Sequence, residues 1–373
     1  MFPAELRETM AASANSSDYI LITGGAGFIG ANLAAHFLAA TNARVTVLDN
    51  LSRPGSDANL AWVQSQALAG RFRFVRADVR SVSAVREAAS QAGEIYHLVN
   101  HCADTANSQS EFDVHVNGTL NVLDAARRSA LRPPVMYLST AKVYEPMPSN
   151  MLRAEGSRFV PVEPGFRGIP ERAVTEADSP YVCWKGLADR QFLEYGRAHE
   201  VPVISLRCDT VAGPRQFENE GHGWVSHLVY SILADKPVTV YGSGLQVRDI
   251  LHVSDVVNAL LAASDFCPVI AGEAYNVGGG AAHTASVLEM IQWIERTCHR
   301  RVSVRHAAPR AGDRAFYMAD ASAFRRLTGW SPRRSLQHTI RDIAAFWHAM
   351  HGQVHLPVRH PGRLERRGLP HAA

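Results

Sequence analysis

The chain is poor in the residues that staple small folds or bind structural metals. Its five cysteines, Cys102, Cys183, Cys208, Cys267 and Cys298, lie far apart with no CxxC pair. Such a scattered, odd set argues against a disulfide framework or a zinc ribbon and reads as reduced thiols of a cytoplasmic protein. Seventeen histidines are present, but none stands in an HExxH or a Cys/His cluster, so no metal site is expected. No apolar run of 18 residues occurs, which argues against a spanning helix. Residues 1–17 lack the apolar core of a secretory signal and are expected to form a disordered extension. The net charge is only +3, with no face-defining basic run before the tail, and nothing calls for nucleic acid or a membrane surface. Internal repeats are absent.

What is present is ordinary globular composition. With 373 residues, 46% hydrophobic and 20% charged, the chain is long enough for one large or two modest domains. The apolar run Tyr19 to Ile22 leads into Thr23-Gly24-Gly25-Ala26-Gly27-Phe28-Ile29-Gly30. A buried strand, a glycine turn and a following helix, here Phe28 to Ala40, form the context in which such glycines cradle a dinucleotide. Gly24 allows the tight turn, Gly27 lets a pyrophosphate approach the backbone, and Gly30 lets the helix pack on the strand. The helix N-terminus then aims its N–H groups at the phosphates. The next strand, Arg44 to Leu48, ends at Asp49, 19 residues after Gly30. A carboxylate there pairs with ribose hydroxyls and repels a 2′-phosphate, so NAD is expected rather than NADP. Arg53 is the competing signal.

Further strands are predicted at 72–79, with Asp78 at the end, at 95–99 with Asn100 at the tip, and at 135–138 running into Ser139-Thr140. A helix is predicted over 84–92 and a long one from Glu111 to Arg128. Strands alternating with helices of this length predict an α/β fold with a doubly wound parallel sheet of Rossmann type. Ligands of such sheets bind at the carboxyl ends of the strands, where Asp49, Asp78, Asn100 and Thr140 fall.

Tyr181 and Lys185 stand four apart, on one face of a helix. A phenol with a pKa of about 10 is a poor base at neutral pH, and a nearby ammonium lowers that value. Tyr181 is therefore a candidate acid/base, Lys185 its partner, and Thr140 a hydroxyl that orients the same substrate oxygen.

The glycine run, Ser139-Thr140 and the Tyr181/Lys185 pair resemble the extended short-chain dehydrogenases/reductases (NAD-dependent epimerases and dehydratases) that act on nucleotide sugars. Six stretches are similar to the CDP-tyvelose (CDP-paratose) 2-epimerase branch. They are Asp49–Gly55, Ser139–Tyr144, Ser179–Gly186, Gly213–Phe217, Gly223–Val225 and Gln246–His252. Together the similarity spans about residues 18 to 350. The resemblance implies a tightly held NAD, reduced and reoxidised within each turnover, and a transient keto sugar. It implies cofactor contacts at Phe28, Ile29, Asn50, Asp78, Val79, Leu98 and Asn117, beside those of the glycines, Asp49, Tyr181 and Lys185. The favoured outcome is C2 epimerisation of a CDP-sugar. Alternatives are a 4-epimerase, dehydratase or decarboxylase, and a catalytically silent NAD-binding scaffold. Inside the YxxxK run stand Val182 and Trp184 where the branch carries small residues, and the 100–109 loop departs from the branch's glycine/alanine-rich pattern.

The second half is expected to build a smaller C-terminal α/β domain for the nucleotide sugar. Residues 18–210, with parts of 245–280, would form the cofactor domain. Residues 211–245 and 280–350 would form the substrate domain, and 351–373 a flexible tail. Candidate substrate residues are Thr140, Arg215, Gln216, Phe217, Trp224, Arg248, Arg310 and Asp313. An aromatic such as Phe217 or Trp224 suits base stacking. Arg248 suits a diphosphate, since guanidinium pairs bidentately with phosphate oxygens, and Asp249 is expected to fix it. The proline- and glycine-bearing segment 145–176 is expected to be irregular. Family habit implies a homodimer or homotetramer.

Overall fold

The structure is a computed structural model and describes residues 19–101, 108–177, 179–217, 223–310 and 312–351. The expected N-terminal extension, the tail beyond 351 and the middle of the 100–109 loop lie outside the described residues.

The expected doubly wound sheet forms. Its seven strands are β1 (Tyr19–Thr23), β2 (Arg44–Asp49), β3 (Phe72–Arg76), β4 (Glu94–His97), β5 (Val135–Thr140), β8 (Val203–Cys208) and β12 (Glu273–Val277). They pair in parallel in the order β12-β8-β5-β4-β1-β2-β3. The order reverses between β1 and β4, which opens a crevice at the carboxyl ends of those strands. Alternation along β1 explains the two-sided core: Ile20 and Ile22 face one hydrophobic layer, Leu21 the other. A parallel sheet covered by helices on both faces requires this. The helices Phe28–Ala40 and Val253–Asp265 cover the first layer through Leu33, Phe37, Val256 and Leu260. The helices Val82–Ala89, Gly118–Arg128 and Pro180–His199 cover the second through Val85, Val122 and Phe192.

The predicted long helix from Glu111 is interrupted. A π turn spans Asp113–Asn117, and the Gly118 N–H reaches back to the Asp113 carbonyl. Gly118 packs so close to β3's successor segment that an added Cβ would meet Val79 Cγ1 at 2.6 Å. That contact and the widened turn together aim Val114 and His115 inward, as π turns at functional sites often do.

A second, smaller hydrophobic layer gathers around Val229, Ile250, Ile291 and Ile340. It joins the three-stranded sheet β9 (Thr210–Ala212), β11 (Val247–His252) and β13 (Thr284–Ser286) to the pair β10 (Val238–Tyr241) and β14 (Val304–Ala307). The helices Trp224–Leu233, Val287–Cys298 and Leu336–His351 pack on it. Phe324 and Trp330, in contrast, belong to the core of the large sheet.

The segment expected to be irregular holds an antiparallel hairpin, β6 (Leu152–Glu155) with β7 (Arg158–Pro161). Gly156 at φ +59° supplies the positive φ that a two-residue hairpin turn needs. Ser157 O and Arg158 tie the hairpin to Ser286 and Thr284 at 2.6 and 2.7 Å. Among the described residues no helix is long and apolar enough to cross a membrane.

Candidate active site

A cavity of about 570 Å³ runs along the carboxyl edge of the large sheet and under the smaller layer. At its first end lies the glycine loop. Gly24 has φ +73°, and a Cβ there would meet the Leu98 carbonyl carbon at 2.9 Å. A Cβ on Gly30 would meet the Gly24 oxygen at 2.3 Å. Only glycine allows this turn and this close approach. Gly27 lines the cavity, where an added Cβ would meet the Gly24 oxygen at 3.1 Å, and the helix that it precedes starts there with no side-chain cap. Asp49 accepts from the Ala26 N–H at 3.0 Å and the Leu51 N–H at 2.8 Å, which locks loop to strand. Burial raises its pKa, opposed by those N–H bonds and by Arg53. Asp78 accepts from Arg80 at 2.8 and 2.9 Å and from Asn50 at 2.7 Å. The Arg80 bonds hold its carboxyl at about 2. Phe28, Ile29, Asn50, Asp78, Val79 and Leu98 all line the cavity. Asn117 does not: it is exposed and donates to Asp113 Oδ1 at 2.9 Å.

Midway stand Thr140, Tyr181 and Lys185. The helix that carries the pair starts where it does because the Ser179 hydroxyl caps the Val182 N–H and Pro180 occupies the first turn. Tyr181 donates to Asn100 Oδ1 at 3.1 Å. Lys185 is buried; its ammonium donates to the Leu138 carbonyl at 3.0 Å and lies 4.5 Å over the Tyr137 ring. Burial lowers its pKa to about 7, against the pull of Asp189 one turn further on. Asp189 is itself held by Arg207 at 2.6 and 3.1 Å and by Ser205 at 2.5 Å. Thr140 Oγ1 accepts from the Lys142 N–H at 3.2 Å. Beside it, the buried Ser139 hydroxyl has no partner and borders the cavity. His115 meets the Tyr181 ring edge-on at 5.7 Å, and burial keeps it neutral with a pKa of about 3.

At the far end Gln216, Trp224, Arg248, Arg310 and Asp313 line the cavity. Gln216 is fixed by Ser226 at 2.7 Å and the Val211 carbonyl at 3.2 Å. Arg310 lies 3.9 Å over the Tyr241 ring. Arg248 pairs with Asp313 and donates to the Arg314 carbonyl at 2.6 Å. The expectation that Asp249 fixes Arg248 is incorrect. Neighbours on a strand point to opposite faces, and Asp249 turns into the core, accepting from the Gly279, Gly280 and Ala319 N–H groups. Burial lifts its pKa to about 7.

Arg215 and Phe217 lie outside this cavity. Arg215 stacks 4.3 Å over Trp62, and Phe217 meets Phe346 and Trp347 edge-on. Residues the sequence reading passed over include Tyr241, Gln246 and Arg314. Gln246 donates to Asp313 Oδ2 at 3.0 Å. Arg314 is buried and donates to the carbonyls of Ala141 and Lys142, beside Thr140. Its place directly after Asp313 was the one available signal. Among the described residues no cluster of His, Cys, Asp or Glu could hold a metal ion.

Comparisons with known proteins agree with this geometry. The model of the NAD dependent epimerase/dehydratase family matches residues 20–278. The CDP-paratose 2-epimerase of Salmonella typhi is 32% identical over 334 residues, 87% of this chain and 97% of that protein. A dTDP-glucose 4,6-dehydratase of Streptomyces niveus is 31% identical over 345 residues, 88% and 94% of the two chains. The crystal structure of a UDP-glucuronic acid 4-epimerase from Bacillus cereus, in complex with UDP-glucuronic acid and NAD, superposes with a TM-score of 0.76 at 25% identity. It covers 89% of this chain and 99% of that one. With a glycine loop shaped for a dinucleotide at one end of the cavity and arginines at the other, the chain is an enzyme of the NAD dependent epimerase/dehydratase family.

Proposed function

We propose that this chain epimerises a nucleotide sugar, a CDP-sugar in first preference, at sugar C2 by way of a transient keto sugar. The observation that carries the reading is the placement of Thr140, Tyr181 and Lys185 on one stretch of a cavity, between the glycine loop with Asp49 and the Arg248/Arg310 end. NAD, when bound, supplies reversible two-electron oxidation of the carbinol. The chain's own residues do the rest. Gly27 admits the pyrophosphate in a turn that Gly24 and Gly30 make possible, Asp49 takes the adenosine ribose hydroxyls, and Asn50, Asp78, Val79 and Leu98 border the adenosine. Tyr181 removes the sugar hydroxyl proton and later returns it. Thr140 holds the same oxygen, and Lys185 favours the phenolate and the nicotinamide ribose. Arg248 and Arg310 grip the diphosphate.

The preference for C2 and for cytidine rests on the likeness to the Salmonella typhi 2-epimerase. The dehydratase reading draws on the Streptomyces niveus relative. It is weakened by Ala141 and Lys142, which stand where an added acid/base pair would follow the threonine. The test is a panel of CDP-, UDP-, GDP- and dTDP-sugars with products read by NMR, together with a CDP-sugar deuterated at C2. The reading expects inversion at C2, a primary isotope effect and label kept in the product. Loss of the label to water, inversion at C4 or loss of water from the sugar would overturn it.

A further inference from the structure

Asn100 sits on the acid/base itself. It follows β4 at the carboxyl edge of the sheet and borders the same cavity as Tyr181 and Thr140. The Tyr181 hydroxyl donates to its side-chain Oδ1 at 3.1 Å. Its backbone is held from the other side, where Arg53 donates to the Asn100 carbonyl at 2.9 Å. The residue is exposed, and rotation of its amide needs no repacking of the core.

An epimerase that oxidises a carbinol and then reduces the ketone asks two opposite things of one tyrosine. The phenol must take the sugar's proton in the first half and give it back in the second. A neutral phenol presents an O–H and needs an acceptor; a phenolate needs donors. Several other described residues stand near Tyr181. Arg53, behind Asn100, only donates, and Lys185, on the same helix, donates from its ammonium form. The His115 ring is engaged with the His101 carbonyl at 2.6 Å. Tyr137, from β5, has its own pKa raised by burial, with Asp189 and Tyr181 adding to it. An asparagine amide carries an acceptor and a donor on one planar group.

We infer that Asn100 is a positioning residue for Tyr181: its Oδ1 accepts from the phenol, and after rotation its Nδ2 donates to the phenolate. Both protonation states are thereby held at one place in the cavity. The proton that leaves the sugar oxygen goes to the Tyr181 oxygen and returns from it; Asn100 gains and loses none. This inference rests on the acid/base role proposed for Tyr181.

The test compares Asn100→Asp, Asn100→Leu and Tyr181→Phe in the cofactor-loaded enzyme. Asn100→Asp sets a carboxylate against the phenol, and the ascending limb of the pH profile of kcat should move up by about one unit or more. Asn100→Leu, which keeps the bulk and loses both polar ends, should lower kcat by about tenfold or more, with KM within about threefold. Should Asn100→Asp turn over too slowly to profile, tyrosinate absorbance of Asn100→Asp, against the same variant carrying Tyr181→Phe, reads the Tyr181 titration directly. A Tyr181 titration unchanged between Asn and Asp, alongside an inactive Tyr181→Phe, overturns the Asn100 inference alone. A Tyr181→Phe enzyme that keeps turning over within about threefold of the parent overturns the acid/base reading and the inference with it.

Discussion

At the scale of single residues, the proposed chemistry turns on a phenol and an amine whose ordinary titrations suit neither to neutral pH. Replacing Tyr181 by Phe removes one oxygen and should lower kcat by 10²–10⁴, while NAD remains bound; steady-state rates and the cofactor absorbance check both. Lys185 carries a second, independent prediction. Burial brings it to about 7 from an ordinary 10.5. The unfolded chain therefore holds a proton up to about 10.5 that the folded chain releases near 7, and unfolding takes up a proton between those values. The stability contribution is fully present above the upper value and is lost as pH falls through the lower one. In cofactor-free protein, the Tm of the parent relative to Lys185→Met should rise steadily from pH 7 to pH 10 in thermal melts. A flat difference across that window would mean that the ammonium is well solvated.

At the scale of elements, the glycine turn is the least tolerant piece. An Ala at position 30 would set its Cβ 2.3 Å from the Gly24 oxygen and 2.6 Å from the Gly25 Cα. Both are backbone atoms and cannot rotate away. Gly30→Ala should weaken NAD binding at least tenfold, about 1.4 kcal/mol, measured by fluorescence titration. This turn and the helix Phe28–Ala40 were legible in the sequence because strand, loop and helix signals adjoin there. The sheet was legible for the same reason: short apolar runs alternate with helical stretches, and polar residues mark the strand ends. The π turn was not, because nothing local marks it; Gly118, just after it, packs against Val79, a contact between segments far apart in the chain. The hairpin over 152–161 carried a local signal in Gly156-Ser157 that the surrounding prolines masked. The misplacement of Asp249 was avoidable, since strand alternation alone sends it away from Arg248. Phe217 and Trp224 look alike as aromatics after a turn. Only packing against Phe346 and Trp347 tells the core residue from the one at the cavity.

At the scale of the molecule, two layers share one cavity, so ligands at either end bind the folded state and should stabilise it. A ligand at a hundredfold excess over its Kd contributes about 2.7 kcal/mol. NAD and CDP should each raise Tm by a few degrees in differential scanning fluorimetry. Arg248→Ala should abolish most of the CDP shift and leave the NAD shift intact; an equal loss of both would place Arg248 in the scaffold instead. One link between the layers is Arg314, whose backbone oxygen takes the Arg248 guanidinium and whose own guanidinium clasps the turn under Thr140. The arginine proposed to meet the diphosphate thus leans on the same residue that braces the turn under Thr140. On the proposed roles, a substitution that loosens the arginine end to admit a new substrate should also slacken the turn that carries Thr140.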